Sequence, residues 1–284
     1  MRPQNRGLLA LKRHRSGLIG LGIVIILALV ALGADFIAPG DPVLQNSDKM
    51  LIPPIWDMKG QWPHVLGTDL LGRDLLTRII YGARLSLMIG VMSVFVGAAL
   101  GVPLGMISGY VGGRTDLFIM RIIDLLLAFP SALLAVCIVA ALGPSLENAM
   151  LAIGILGIPT YARVVRASVL SEKEREYVLA DKALGRGHIP TLFLGIFPNI
   201  IGPLLVITSL NFASAVLETA GLSFLGLGAQ PPIPEWGALL AEGKAQIYEA
   251  WWLIFFPGMA ILLAVIGFNL LGDALRDIYT PSTK

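Results

Sequence analysis

Apolar residues run along this chain in long blocks separated by polar stretches. A helix needs about 20 apolar residues to cross the hydrocarbon core of a bilayer, and six blocks approach or exceed that length. Ser16 to Ala34 is the first, and the uncharged run Leu85 to Gly113 is the second. Phe118 to Leu142 is the third, interrupted near its start by Arg121 and Asp124. Glu147 to Val165, the least hydrophobic, is the fourth; Phe197 to about Leu225, interrupted by Glu218, is the fifth; Ala250 to Gly272 is the sixth. The pattern predicts an all-α, polytopic membrane protein with six transmembrane helices and both termini on one side. It divides the chain into an N-terminal segment (1–15), a first transmembrane helix (16–38), an outer segment (39–84), a five-helix core (85–272) containing an inner loop at 171–198, and a C-terminal tail (273–284).

Composition agrees. Hydrophobic residues make up 56% of the 284 and charged residues 14%, against roughly 25% charged in a soluble domain. The formal net charge of +2 is too small to mark a nucleic-acid partner, so lipid is the expected surrounding. The placement of positive charge says more than its sum. With both termini inside, fifteen Lys and Arg fall on inner segments, among them Arg2, Arg6, Lys12, Arg13, Arg15, Arg163, Arg166 and Lys284. Six fall outside: Lys49, Lys59, Arg73, Arg78, Arg84 and Lys244. Positive residues gather on the cytoplasmic side, so both termini are expected in the cytoplasm. The basic run before Ser16 also suits a signal peptide, but the block is long for one and the rest of the chain is equally membrane-bound, so the first helix is read as retained.

Gly97, Gly101, Gly105 and Gly109 recur on one face of the second block, where small residues let helices approach closely. We read them as packing within the chain. Pro103, Pro130, Pro203 and Pro257 lie inside blocks, which membrane helices tolerate because neighbours meet the freed carbonyls. Cys137, the single cysteine, excludes an internal disulfide and a multi-cysteine metal site and reads as a small packing residue. In the outer segment Asp69 is the expected N-cap of the helix leading into the second block. Arg73, Asp74, Arg78 and Arg84 are expected to be solvated or paired within the chain rather than with a partner, and Trp236, Trp251 and Trp252 suit the outer membrane interface. His14, His64 and His188 are far apart in sequence, and His64 reads as a solvated surface residue.

The loop between the fourth and fifth blocks is the most structured of the polar stretches. Ser171 with Glu174 forms a capping-box pattern, and Glu172, Glu174 and Glu176 suit a helix N-terminus. The helix is expected to run through Leu184 and stop at Gly185, where glycine accepts a left-handed cap. Pro190 fits the first turn of the next helix. Tyr177, Ala180 and Leu184 share a face. Such a loop is either a surface helix on the headgroups or a dock for a soluble partner.

It resembles the coupling loop of permeases of ATP-binding-cassette (ABC) importers, whose pattern is Glu-Ala-Ala, three residues, Gly, nine residues, then Ile-x-Leu-Pro. Ala180, Gly185 and Pro198 match; Leu179, Asp181, Gly195 and Phe197 depart from it. Gly67-Thr-Asp-Leu-Leu-Gly-Arg-Asp74, Gly221-Leu-Ser-Phe-Leu-Gly-Leu-Gly228 followed by Pro231, Pro232 and Trp236-Gly237, and Phe268-Asn-Leu-Leu-Gly-Asp-Ala-Leu-Arg-Asp277 are similar to one group, the second (C-type) permease subunit of dipeptide, oligopeptide and nickel importers. The resemblance implies a type I importer permease fold in the bacterial cytoplasmic (inner) membrane. It also implies a heterodimer with a homologous permease, two cytoplasmic ATPase subunits, an external solute-binding protein, and short peptides as cargo. Nickel chelates, glutathione or small oligosaccharides are the alternative cargoes.

Glu176, Tyr177, Ala180, Asp181, Ala183, Gly185 and Pro198 are then the residues expected at the ATPases, with Asp181 a candidate partner for a basic residue there. Glu218, Asn211 and Asp124 are candidates for the pathway or the subunit interface, since intramembrane acids are functional by default; Arg121 is the nearest ionic partner for Asp124 along the same helix. No cofactor is expected on this chain, ATP and Mg belonging to the partner ATPases. It has no G-x-x-x-x-G-K-[ST] phosphate loop; the nearest approach, Gly237 to Gly243-Lys244-Ala245, has the wrong spacing. The chain is therefore read as a non-catalytic subunit. An ion-gradient-driven transporter is the rival class, and it would want coupled ionisable residues at mid-membrane.

Overall fold

The computed structural model describes residues 14–279; Arg2, Arg6, Lys12, Arg13 and Lys284, used above for orientation, lie outside them. The described residues form helices and loops, with one isolated bridge between Thr68 and Asp74. Five helices are long and apolar enough to cross a membrane, six if a bent pair counts as one. The main helices are α1 (Arg15–Leu32), α2 (Leu75–Val111), α3 (Gly113–Leu127), α4 (Ser131–Leu142), α5 (Leu146–Glu172), α6 (Glu176–Ala183), α7 (Phe197–Phe224), α8 (Trp236–Gly243) and α9 (Trp252–Tyr279).

The centre of the molecule is the parallel pair α2 and α5. A Cβ added to Gly101 would lie 2.7 Å from the carbonyl oxygen of Ile158, and one added to Gly105 would lie 2.5 Å from that of Ala162. Gly109 meets Arg166 O in the same way, at 2.9 Å. The glycine stripe thus brings backbone against backbone within one chain, as small residues do in membrane helices. Because the clashing atoms are backbone, they cannot rotate away. Gly105→Leu is expected to cost at least the 1–3 kcal/mol typical of overpacking, read as a drop of several degrees in the thermal midpoint of the detergent-purified protein.

Two parallel neighbours need a return crossing between them. It is made by α3 and α4, which are bent by 87° at the break between them, so the third block is not one straight span. Pro130 explains the break: its ring disfavours helical geometry at Phe129, and it sits just before the first turn of α4. α7 packs against both central helices, α9 against α7, and α1 against α9. Gly20 of α1 lies on the Gly267 carbonyl of α9, and Arg84 of α2 binds the end of α1 through Ala31 O at 3.0 Å and Asp35 at 3.0 Å.

Several local expectations are corrected. The cap of α2 is Asp74, which accepts from Thr77 N at 2.8 Å, not Asp69. Asp69 instead accepts from the backbone of Leu71 and Arg73 and from the side chains of Arg73 and Arg78, the last two at 2.7 Å. Glu242 of α8 closes this buried cluster by accepting from both arginines. The outer charges therefore do pair within the chain. His64 is mostly buried and sits 3.0 Å from Asp74; it is not a solvated histidine. Trp236 and Trp252 are buried, because their indole N–H groups find carbonyls of Ile79 and Thr68 inside; Trp251 alone of the three is exposed. Cys137 is exposed on this chain rather than packed. Glu235 caps α8 with both carboxylate oxygens, on Gly237 N and Ala238 N at 2.9 Å; burial nonetheless pushes its pKa above the usual carboxylate range.

Candidate functional site

Two places gather the residues singled out above: the loop after α5 and a cavity beside α7. Ser171 does not cap a new helix, because α5 runs on to Glu172; the loop helix α6 begins at Glu176. Its end is built as the sequence suggests. Gly185 has φ +77°, which L-residues reach at a cost. The Arg186 N–H donates to Asp181 O at 3.0 Å, the six-to-one bond of a Schellman cap. Asp181 also holds the Arg186 side chain at 2.7 Å, so this acid already has a partner inside the loop. After Gly187 the chain makes a short helical turn, His188–Pro190, and a π-helical stretch, Thr191–Ile196, which leads into α7.

The loop helix is keyed into the body by a residue the sequence reading passed over. Val178 is fully buried and packs with Met106, Val165, Val169 and Ile200, from the ends of α2, α5 and α7, and with Ile196 of the π-helical stretch. Tyr177, Ala180 and Leu184, read as the apolar face, are exposed instead. So are Glu176, Ala183, Gly185 and Pro198. The outward surface carries Leu179, Leu184 and Ile189. Beside it, the Tyr177 hydroxyl donates to Glu172 at 2.8 Å and accepts from Asn199 at 3.1 Å. Desolvation, followed by the Glu172 carboxylate, raises the pKa of that phenol, which keeps its proton in place for the bond. Tyr177 therefore ties α6 to the end of α5 and the start of α7. No sequence signal marks Asn199 as a member, because it lies 22 residues from Tyr177.

The cavity has a volume of about 250 Å³ and is lined by all five of the helices α2, α3, α4, α5 and α7. Its polar groups are Ser93, Ser131, Thr160, Asn211, Ser214 and Glu218. A second, mostly apolar pocket of about 280 Å³ shares Ser131 and Glu218 with it. Glu218 and Ser214 are exposed on the open side, and Glu218 makes no hydrogen bond or ion pair among the described residues. The Asn211 Nδ2 is buried without a partner, as is the Thr219 hydroxyl. Buried polar groups are normally satisfied, and a charged group at membrane depth is costly without a partner. Of these groups Glu218 is the one that is both open to the cavity and without a partner among the described residues. Asp124 does not pair with Arg121. It accepts from Arg163 of α5 at 2.6 Å, a contact 39 residues away that no local spacing announces. One turn along, Arg166 binds Asp116 through two bonds at 2.5 and 2.6 Å.

Comparisons with known proteins place this geometry. Residues 101–284 match the family described as binding-protein-dependent transport system inner membrane component. Residues 6–54 match the N-terminal TM domain of oligopeptide transport permease C. The dipeptide transport system permease protein of Escherichia coli K12 is 48% identical over 273 residues, covering 96% of this chain and 91% of that protein. A di/tripeptide transport system permease protein of Pseudomonas aeruginosa is 48% identical over 95% of this chain and 90% of its own length. A dipeptide transport system permease protein of Alkalihalophilus pseudofirmus is 43% identical over 99% and 91%. Among solved structures, an inward-facing MetNI methionine ABC transporter chain superposes with a TM-score of 0.60 at 17% identity, over 72% of this chain and 97% of that one. That likeness shows that the fold is shared.

Proposed function

The chain belongs to the family of binding-protein-dependent transport system inner-membrane components, and from that premise we propose that it carries short peptides across the bacterial cytoplasmic membrane as one half of a heterodimeric pathway. The observation that carries the reading is the Glu218 carboxylate, unpartnered in a polar cavity walled by five helices. A zwitterionic peptide brings an α-ammonium, which such a carboxylate pairs with by a charge-assisted hydrogen bond. Asn211 and Ser214 on the same helix offer neutral groups to the peptide's amide. The open side of the cavity is where the homologous permease would complete the wall.

The chain itself is proposed to perform no chemistry. ATP and Mg are proposed to be bound by two partner ATPases on the cytoplasmic side, the side to which the charge bias assigns both termini and the 171–198 loop. α6 presents Leu179 and Leu184 outward for them, while Val178 and Tyr177 carry its movement to α2, α5 and α7. The geometry shifts weight from Asp181 to the loop as a whole, since its carboxylate is held by Arg186. ATP binding would close the ATPases and swing the cavity from one side of the membrane to the other. An external binding protein would deliver cargo.

The test is reconstitution of the chain with its partner subunits in lipid vesicles, with ATPase activity measured with and without binding protein charged with a dipeptide. Peptide-dependent stimulation supports the reading. ATPase activity without a peptide response keeps an importer and points to other cargo, a nickel chelate among them. No association with any ATPase returns the ion-driven alternative.

A further inference from the structure

We infer that Arg163 is a second station on the pathway, binding the α-carboxylate of the peptide at the cytoplasmic end of the cavity, with Asp124 as its occupant when no peptide is there. This rests on the reading of the chain as a peptide importer subunit.

The position comes first. Leu127 and Thr160 line the cavity. Asp124 lies three residues before the one and Arg163 three residues after the other, and residues at that spacing are neighbours on a helix face. The pair thus sits one turn beyond the cavity, towards the loop end of α5. Both side chains are about half exposed. Ionised groups at membrane depth face a water-filled path or a partner rather than lipid.

The chemistry comes second. Arg166 and Asp116, on the same two helices, form a two-bond fork in which Ser108 also donates to the acid. That pair is a strut. Arg163 holds Asp124 by a single bond and so uses one of five guanidinium donors. Arg121 lies three residues before Asp124, on the same face, and is exposed with no hydrogen bond or ion pair among the described residues. Arg121 thus adds a second positive charge near the pair, one more than the single carboxylate balances. Guanidinium groups prefer two-bond contact with a carboxylate, and so exposed an ion pair is weakly held. An incoming carboxylate has both a reason to bind and little to displace.

The separation gives the orientation of the peptide. The Tyr161 hydroxyl meets Thr208 at 3.3 Å, which puts Arg163 near the depth of Thr208. Glu218 is ten residues further along α7, or about 15 Å at 1.5 Å per residue. An extended dipeptide covers about 7 Å, and the Glu218 and Arg163 side chains reach in from the two ends of that span, so the ammonium faces Glu218 while the carboxylate leads towards Arg163.

The experiment uses the complex of this chain with its partner permease and ATPases, purified without the binding protein. It is titrated with a radiolabelled dipeptide and with the C-terminal amide of the same dipeptide. The free acid is expected to bind about tenfold more tightly than the amide, as loss of one charge-assisted bond implies. Arg163→Gln should abolish that ratio, Arg163→Lys should keep part of it, and Asp124→Asn should tighten binding of the acid. Equal affinities in the unaltered complex, a ratio that survives Arg163→Gln, or no measurable binding of either peptide would each overturn the inference. Binding-protein-dependent uptake of the same dipeptide reports separately on the importer reading. Uptake with equal acid and amide affinities removes the Arg163 station alone, whereas absence of uptake removes the reading beneath it.

Discussion

Glu218→Gln is expected to lower dipeptide uptake by about tenfold or more while the complex still assembles. Glutamine keeps the volume and one acceptor oxygen of glutamate and removes only the charge. A hydrogen bond to a charged group contributes roughly 1.5–3 kcal/mol, and 1.4 kcal/mol is a factor of ten. Among the described residues the side chain makes no hydrogen bond or ion pair that the substitution would break, so α7 should fold and pack as before. Glu218→Asp keeps the charge on a shorter stem and should retain more uptake than glutamine. The measurement is uptake of radiolabelled dipeptide into vesicles, with assembly followed by size-exclusion chromatography. Uptake at the unaltered rate in Glu218→Gln would remove the carboxylate from the pathway. Loss of assembly in both variants would instead make Glu218 a contact with the partner permease.

Most of the fold is legible in the sequence because lipid imposes a simple length rule on apolar blocks. The glycine stripe was equally legible, since its four-residue spacing puts every member on one helix face, and α2 packs on α5 through it. Pro130 signals a break between α3 and α4 but not its size, because a proline within a block gives its position and not the angle that neighbours allow. The cap of α2 slipped from Asp69 to Asp74 for a related reason. Both acids precede the helix, and only tertiary contact shows that Asp69 is taken by Arg73 and Arg78. The site residues divide along the same line. Gly185 was readable because a backbone conformation is local. Glu218 stood out because a lone acid in an apolar block has no ordinary reason to be there. The partner of Asp124, the burial of Val178 and the Tyr177–Asn199 bond were not readable, since each depends on elements that meet only when the helices pack. Indeed Arg121 is the natural partner by spacing, yet among the described residues it makes no ion pair, and Arg163 comes to Asp124 from another helix.

The other large effect belongs to the loop. Gly185→Val should abolish peptide-stimulated ATPase activity and uptake together while leaving the membrane helices assembled. A Cβ at Gly185 meets nothing within 4 Å, so the cost is not one of packing. It lies in the backbone, where φ is +77°. A left-handed conformation costs roughly 1–2 kcal/mol for an ordinary residue, and a β-branched residue is a marked outlier there. The loop escapes that cost by giving up the left-handed turn, and with it the Arg186 N–H to Asp181 O bond and the side-chain pair across it. α6 then ends without its cap and no longer delivers the chain to the π-helical stretch that enters α7. Gly185→Asn is the control, because asparagine visits this region more readily than other non-glycine residues; it should keep most of the stimulation. Asp181→Ala should have a smaller effect than Gly185→Val, since it removes a partly exposed ion pair and leaves the backbone cap intact. Both are read as ATPase rate with and without charged binding protein in the reconstituted complex. Full stimulation in Gly185→Val would mean that the turn after α6 transmits nothing, and the connection between ATPase and cavity would then have to run through Val178 and Tyr177 alone.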